Sequence, residues 1–410
     1  MEKTKSSDPS SHAMEKPDGE SSYRTNSGSI VSSNEDLMVN ILSWLPVKVL
    51  SRFKCVSKQW NTLISDPYFI RVHQGRAPQD HNIMKLLWMT RGSYGDGLIS
   101  VCSVEEKEKK KVTLDVIGSY YPDGFKYHSM NMIGRPCNGL ICLEHLCFNE
   151  WTYHYKCLIL VCNPETQNTV LIPQGTDRQY SFLQGLGFCS SSNEFKLVQL
   201  YERSENKWEG IGCELFTVGH RGVTGTHPLQ PSRSWRHVGY FPCHEFCYLS
   251  DMCHVKGRVH WIIQPLLVSS FEFIVSLDLE LEEFKLVSCP ENWPEDVRRL
   301  QKCMDLIELG GELCVVFRNC DAWDIWVLKD YNNSIWSKEY QIKENIPKDP
   351  LFDDLKVVGI WRRRLLIIID NEILCYYDPR NNSLDVIMEE NFGNLSGRVA
   401  VFVENLVIPF

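Results

Sequence analysis

The stretch SNEDLMVNILSWLPVKVLSRFKCVSKQWNTLISDPYFI, Ser33 to Ile70, decides how the rest of the chain is read. Its apolar residues recur at helical spacing in three short runs. Ser33 is placed to cap the first helix, with Asp36 as a weak capping box. Leu37, Ile41, Leu42 and Leu45 then mark one face at steps of three and four. Pro46 stops that helix and opens the next, where its missing N–H costs nothing. Val47, Leu50, Phe53 and Val56 form a second stripe. Ser57 caps a third helix carrying Trp60, Leu63 and Ile64, and Asp66-Pro67 ends it. A segment of about 40 residues cannot bury a sufficient core alone and needs a staple or a partner. With no disulfide framework or metal motif in it, the segment reads as half of an interface.

The run Leu37…Ile41-Leu42…Leu45-Pro46-Val47-Lys48…Leu50…Phe53-Lys54-Cys55-Val56-Ser57-Lys58…Trp60…Leu63-Ile64 resembles an F-box of the plant type. The leucine–proline pair, the [CV]-S-K-x-W turn and the trailing D-P-x-F match in order. The resemblance implies a helical hook, residues 31–77, that docks on a Skp-type adaptor and through it on a cullin and a RING subunit. It assigns the adaptor contact to Leu37, Ile41, Leu42, Leu45, Pro46, Val47, Leu50, Val56 and Trp60, some of which must also serve the hook's own core.

Composition limits the rest. The chain has 410 residues, 43% of them hydrophobic and 11% aromatic, enough for one large repeat domain beside a small one. A net charge of −9 argues against a nucleic-acid binder, which would present a basic footprint. Residues 1–30 are polar, hold no apolar core of a secretory signal, and read as a disordered tail. No run approaches 18 uninterrupted apolar residues, so no membrane span is expected. Seventeen cysteines without a secretory signal imply reduced thiols in the cytoplasm or nucleus. Cys142, Cys162, Cys314 and Cys375 sit in apolar strand patterns and read as small core residues.

From about Met84 the helical period gives way to short apolar runs divided by turn residues. LVCNPETQNTVLI from Leu160, VSLDLELEEFKLV from Val275 and CYYDPRNNSLDVI from Cys375 align as strand, Asp or Asn, polar turn, strand. A looser copy is WVLKDYNNSIW from Trp326, and another lies near Phe216 to Trp235. The turns recur about every 50 residues, the period of a four-stranded propeller blade. Before several of them a tight turn (Asn138-Gly139, Lys256-Gly257, Gly310-Gly311) opens a second hairpin. Five such units fill about 130–390. Three strands near 84–90, 97–103 and 112–117, with Val399 to Ile408 as a fourth, would complete a sixth blade and close the ring. The expected fold is thus a small all-α hook followed by an all-β domain at 84–408, a six-bladed propeller sealed by its C-terminal strand. The pieces CNGLICL, CNPETQNTVLIP, GLGFCSSSNEFKLVQL, SWRHVG, VKGRVHWI and ELGGELCVVF also resemble the F-box-associated domain that follows many plant F-boxes.

No catalytic signature accompanies this pattern: G-x-S-x-G, a P-loop and G-x-G-x-x-G are all missing, and no cofactor is expected. Cys243, His244, Cys247, Cys253 and His254 carry zinc-type side chains, yet their spacing fits no common zinc module. A loop leading into a strand, with Cys253 inside and His254 outside, is the preferred reading, and no metal is expected. Gly185-Leu186-Gly187 suggests a bulge or close packing. Trp208, Trp235, Trp261, Trp323, Trp326, Trp336 and Trp361 read mostly as blade core. Trp361, Arg362 and Arg364 are candidates for target recognition; a solvated turn through Arg362, Arg363 and Arg364 is the plainer reading. Three functions follow from this sequence: a non-catalytic substrate receptor of an SCF-type ubiquitin ligase, an adaptor-binding tether without ligase assembly, or a propeller enzyme or ligand binder. The target protein of a receptor is not legible.

Overall fold

The computed structural model describes residues 33–76, 84–91, 97–104, 109–112, 125–175, 181–202, 211–218, 234–240, 247–265, 273–290, 304–318, 322–343, 355–390, 392 and 399–409. The expected N-terminal tail lies outside them, as do Trp208, Cys243 and His244.

The hook comprises α1 (Ser33–Leu42), α2 (Val47–Phe53), α3 (Lys58–Ile64) and α4 (Pro67–Arg76). Three helices fall where the spacing predicts them. Pro46 stands at the N-cap of α2, and Ser57 caps α3 through its side-chain oxygen, which accepts from Trp60 N at 3.2 Å. Asp66-Pro67 does end α3, but it also starts a fourth helix: Asp66 Oδ1 accepts from Tyr68 N at 2.7 Å, and a proline is well tolerated in a first turn. Val56 departs from the expected stripe. The second helix closes at Phe53, so Val56 falls in the following turn and is exposed.

The β domain begins with β1 (Lys85–Arg91), β2 (Gly97–Ser103) and β3 (Lys109–Val112). The third strand is the basic run Lys109 to Val112; of the expected 112–117, residues 113–117 lie outside the described residues. Lys109 to Val112 pairs with β2, which supplies backbone partners whatever the side chains. Blade two is β4 (Phe125–Cys137), β5 (Leu140–Asn149), β6 (His154–Asn163) and β7 (Asn168–Ile172). Blade three is β8 (Ser181–Cys189), β9 (Glu194–Glu202), β10 (Ile211–Val218) and β11 (Arg236–Tyr240). Blade four is β12 (Cys247–Leu249), β13 (Cys253–Val255), β14 (Arg258–Pro265), β15 (Phe273–Asp278) and β16 (Phe284–Ser288), its inner strand split in two. Blade five is β17 (Met304–Leu309), β18 (Glu312–Arg318), β19 (Ala322–Asp330) and β20 (Ile335–Lys343). Blade six is β21 (Leu355–Trp361), β22 (Arg364–Ile369), β23 (Ile373–Asp378) and β24 (Ser383–Glu389). Last comes β25 (Ala400–Phe402), which pairs with β1 and makes blade one a sheet of order β25-β1-β2-β3. The result is a six-bladed β-propeller closed by one C-terminal strand, and the innermost strands of the blades touch their neighbours around the ring.

The repeats have a common turn chemistry. Asn163, Asp278 and Asp330 each accept, through a side-chain oxygen, from the backbone N–H groups two and three residues on, and Asp378 from that of Arg380. Asn149 does the same on the next turn type along the chain. Four residues after each stands a residue of positive φ: Gln167, Glu282, Ser334, Asn382 and Tyr153. An Asx side chain thus mimics a turn of backbone and carries the chain into the left-handed region where the next strand starts. Gly185 sits at a β-bulge, and a Cβ there would meet Gly134 Cα at 3.1 Å, so bulge and close packing both hold.

Ring closure departs from expectation in length. Pairing with β1 stops at Phe402, and residues 403–408 leave the sheet as a peg. Buried Asn163 Nδ2 donates to Asn405 O (3.0 Å), Asn405 Oδ1 (2.9 Å) and Val407 O (2.9 Å), while Val407 N donates back to Asn405 Oδ1. Asn405 Nδ2 donates to Asn138 O. Leu406 and Val407 join one apolar cluster with Leu42, Val47 and Leu50 of the hook and with Leu140 and Val161 of blade two. The peg therefore seals the ring and seats the hook.

Candidate functional site

The nine hook residues expected to meet an adaptor divide by burial. Val47, Leu50 and Leu42 are nearly solvent-free and pack with Ile64, Phe69 and Ile70, so they are the hook's core rather than its contact surface. Leu45, Pro46 and Trp60 are half-buried. Trp60 lies edge-on against Phe53 at 5.0 Å. Leu45 is held at the α1–α2 turn, where its carbonyl faces His73 Nε2 at 3.0 Å and the next amide but one, Val47 N, reaches Glu404 Oε1 at 3.4 Å. Leu37, Ile41 and Val56 are left 57%, 58% and 66% exposed.

Trp44 was not among the expected residues and is 51% exposed. Its signal was present: Leu37, Ile41 and Trp44 stand at i, i+4 and i+7, a single helix face continued two residues past the end of α1. Arg76 holds this end in place, donating to Asn40 O (2.6 Å), Asn40 Oδ1 (2.7 Å) and Ser43 Oγ (2.5 Å), with its guanidinium 4.8 Å from the Trp44 ring. Tyr68, 49% exposed, borders a second concavity of about 640 Å³ between α1, α3 and α4, where Met38 and Leu63 meet Glu35, Asp36 and Asp66. The hook thus has a finished interior and still shows large apolar side chains to solvent, which water disfavours unless a partner covers them.

A cavity of about 1040 Å³ lies between hook and propeller. Trp44, Leu45, Pro46, His73 and Arg76 line it from the hook; the turns at Gly310-Gly311 and Trp361 to Arg363 line it from the ring. These turns therefore mark the hook-side end of the propeller. Arg362 and Arg363 form the tight turn between β21 and β22, both exposed, with φ of 47° and 66°. Arg362 lies 5.6 Å from the Trp361 ring. Arg364 points elsewhere, to Asp385 Oδ2 at 2.9 Å and over Tyr376 at 4.5 Å. The three arginines thus do not share one direction. On the opposite end, at the β5–β6 turn, Trp151 and Tyr153 are 87% and 79% exposed, and the repeat pattern gave no hint of them.

Among the described residues, no group of three or more His, Cys, Asp or Glu side chains is arranged to hold a metal. Cys253 is buried in the core, where desolvation raises its thiol pKa. His254 is not turned outward as expected. Its Nε2 lies 2.9 Å from Phe188 O, and burial lowers its pKa. The core cysteines behave as apolar residues: burial pushes the Cys314 thiol up to about 12 and that of Cys375 to about 11. Of the tryptophans expected in the blade cores, Trp261 is fully buried, whereas Trp235, Trp323, Trp326, Trp336 and Trp361 are half-buried at the cluster edges.

Residues 34–71 match the F-box domain family, and residues 88–404 match the F-box associated beta propeller domain family. The chain is an F-box protein with an F-box-associated propeller. It is 27% identical over 379 residues to F-box protein At3g07870 of Arabidopsis thaliana, covering 86% of this chain and 84% of that one. It is 26% identical over 378 residues to F-box protein CPR1 of the same plant, covering 86% and 83%. Among solved structures, a Mycobacterium tuberculosis puromycin-hydrolyzing peptidase aligns over 73% of this F-box protein and 43% of the peptidase, at 11% identity and a TM-score of 0.40, a likeness too slight to bear on function. Among the described residues, no helix of the F-box protein is long and apolar enough to cross a membrane.

Proposed function

We propose that this F-box protein is the substrate-recognition subunit of an SCF-type ubiquitin ligase, with the F-box on a Skp-type adaptor, the adaptor on a cullin and RING core, and the propeller holding a target protein for ubiquitination and proteasomal degradation. The observation that carries the reading is the exposure of Leu37, Ile41 and Val56, joined by Trp44, on a hook whose core is already complete. Exposed aromatic and aliphatic anchors around a small folded unit are what a partner interface needs. The receptor itself supplies no reacting group. Its contribution is proximity, raising the effective concentration of target lysines near the loaded ubiquitin.

The test is affinity capture of the full chain with a Skp-type adaptor. Leu45 and Pro46 are poor first targets, because they are half-buried and also line the cavity between hook and ring. Leu37→Asp/Ile41→Asp leaves the core untouched and is expected to abolish adaptor capture. Equal recovery of adaptor by variant and wild type would overturn the assignment, and adaptor recovered without cullin would point to a tether rather than a ligase subunit.

A further inference from the structure

The cavity between hook and propeller is basic, although the chain as a whole carries −9. Part of that charge is neutralised locally. Lys85 bonds to Glu404 (2.7 Å) and Glu165 (3.1 Å), and Arg135 lies 3.4 Å from Asp305. Among the described residues Arg76 bonds to neutral groups, Asn40 of α1 and Ser43 just beyond it, and neither Arg362 nor Arg363 has a carboxylate partner. Glu308 also lines the cavity but is turned to the backbone N–H of Gly311.

The turn that presents Arg362 and Arg363 is conformationally costly. The matching hook-side turns of blades two, four and five are Asn138-Gly139, Lys256-Gly257 and Gly310-Gly311, each with glycine at the second position of positive φ. Blade six places two arginines in the same geometry. Non-glycine residues of positive φ are disfavoured and persist where the surroundings or a function require them. Nothing in the packing of this turn requires arginine, since both side chains are exposed. What arginine adds is a pair of forked donors suited to phosphate and carboxylate oxygens. Trp44 and Trp361 give the cavity apolar walls, and its volume is that of a small-molecule site rather than of a folded partner.

We infer that this cavity binds a small organic anion bearing two or more phosphate or carboxylate groups, held by Arg362 and Arg363 from the propeller and Arg76 from the hook. The site shares Trp44 with the proposed adaptor face, whereas Arg362 and Arg363 belong to the propeller.

Pyrophosphate and citrate serve as probes, titrated calorimetrically into the full chain at low ionic strength against chloride of matched ionic strength. At least one is expected to bind saturably at one site per chain, and the stronger of the two tells phosphate from carboxylate recognition. The decisive variant is Arg362→Asn/Arg363→Gly, which copies the blade-two turn and relieves the backbone. It is expected to raise the Tm, keep adaptor capture, and weaken anion binding at least about tenfold, the loss of one charge-assisted contact. Arg362→Lys/Arg363→Lys keeps the charge and is expected to retain part of the binding. Failure of both probes to saturate, or unchanged binding by the Asn-Gly variant, would overturn the site. So would capture of an acidic protein segment through these arginines without response to either probe.

Discussion

Hook and propeller solve opposite problems with similar residues. The propeller has closed its ring, and the apolar side chains of its inner strands, such as Leu365 and Ile367, are buried between blades. The hook is too short to do this. It buries Val47, Leu50 and Phe69 and leaves Leu37, Ile41, Trp44 and Val56 in water. A buried apolar residue of the ring therefore reports on stability, whereas the exposed ones on the hook's outer face are those proposed to meet a partner.

The sharpest way to break this contrast is at the seal. Ending the chain after Val399 removes β25 and the peg, and is expected to abolish cooperative unfolding of the propeller followed by circular dichroism in urea. Asn405→Ala is the milder form, costing about 3 kcal/mol for a network in which each bond is worth about 1. A truncated chain that still melts in a single transition at the wild-type midpoint would show that the ring does not depend on its last strand.

The next contrast lies within the hook. Leu50→Ala should cost about 2–5 kcal/mol as a buried cavity mutation. Leu37→Asp/Ile41→Asp should stay within about 0.5 kcal/mol per site, as exposed substitutions do, while losing the adaptor. If both changes destabilise equally, the outer face is structural.

Acidification separates the regions by charge. Burial lowers His260 in blade four to about 3, and the folded ring keeps it neutral. Between that value and the usual histidine pKa of about 6.5 the unfolded chain binds the extra proton, so stability falls as pH falls, by up to about 1.4 kcal/mol per pH unit for this group. Burial shifts His73, His145 and His254 the same way. The Tm should drop from pH 7 to pH 5, with a shallower slope in His260→Gln; an unchanged slope would mean that His260 is solvated. A small effect is expected at a helix terminus within the hook: Ser57→Ala removes the cap of α3 and should cost about 1 kcal/mol, read as a shift in the urea midpoint.

What the sequence makes legible here is local. The Asn163, Asp278, Asp330 and Asp378 turns are written in a few adjacent residues, so blade hairpins and their period can be read directly. Helical spacing likewise places α1 to α3. Long-range choices are not so written. Periodicity shows that Leu37 and Leu42 belong to faces of one helix, but which face another element covers depends on α4 and on residues 405–407, more than 300 positions away. The inward turn of His254 depends on Phe188, and the peg on Asn163, contacts between segments distant in sequence. Strand β3 is hidden for a different reason: backbone pairing to β2 overrides a lysine run with little strand propensity.

The peg also orders events in time. On the ribosome the hook emerges first and the strand that completes blade one emerges last, with the whole ring synthesised in between. Such long-range closure is slow and leaves unpaired strand edges open until the end. The hook is thus synthesised well before the ring can shut, and a chain cut between the hook and Ala400 lacks Leu406 and Val407, the residues that complete the apolar cluster of Leu42, Val47 and Leu50.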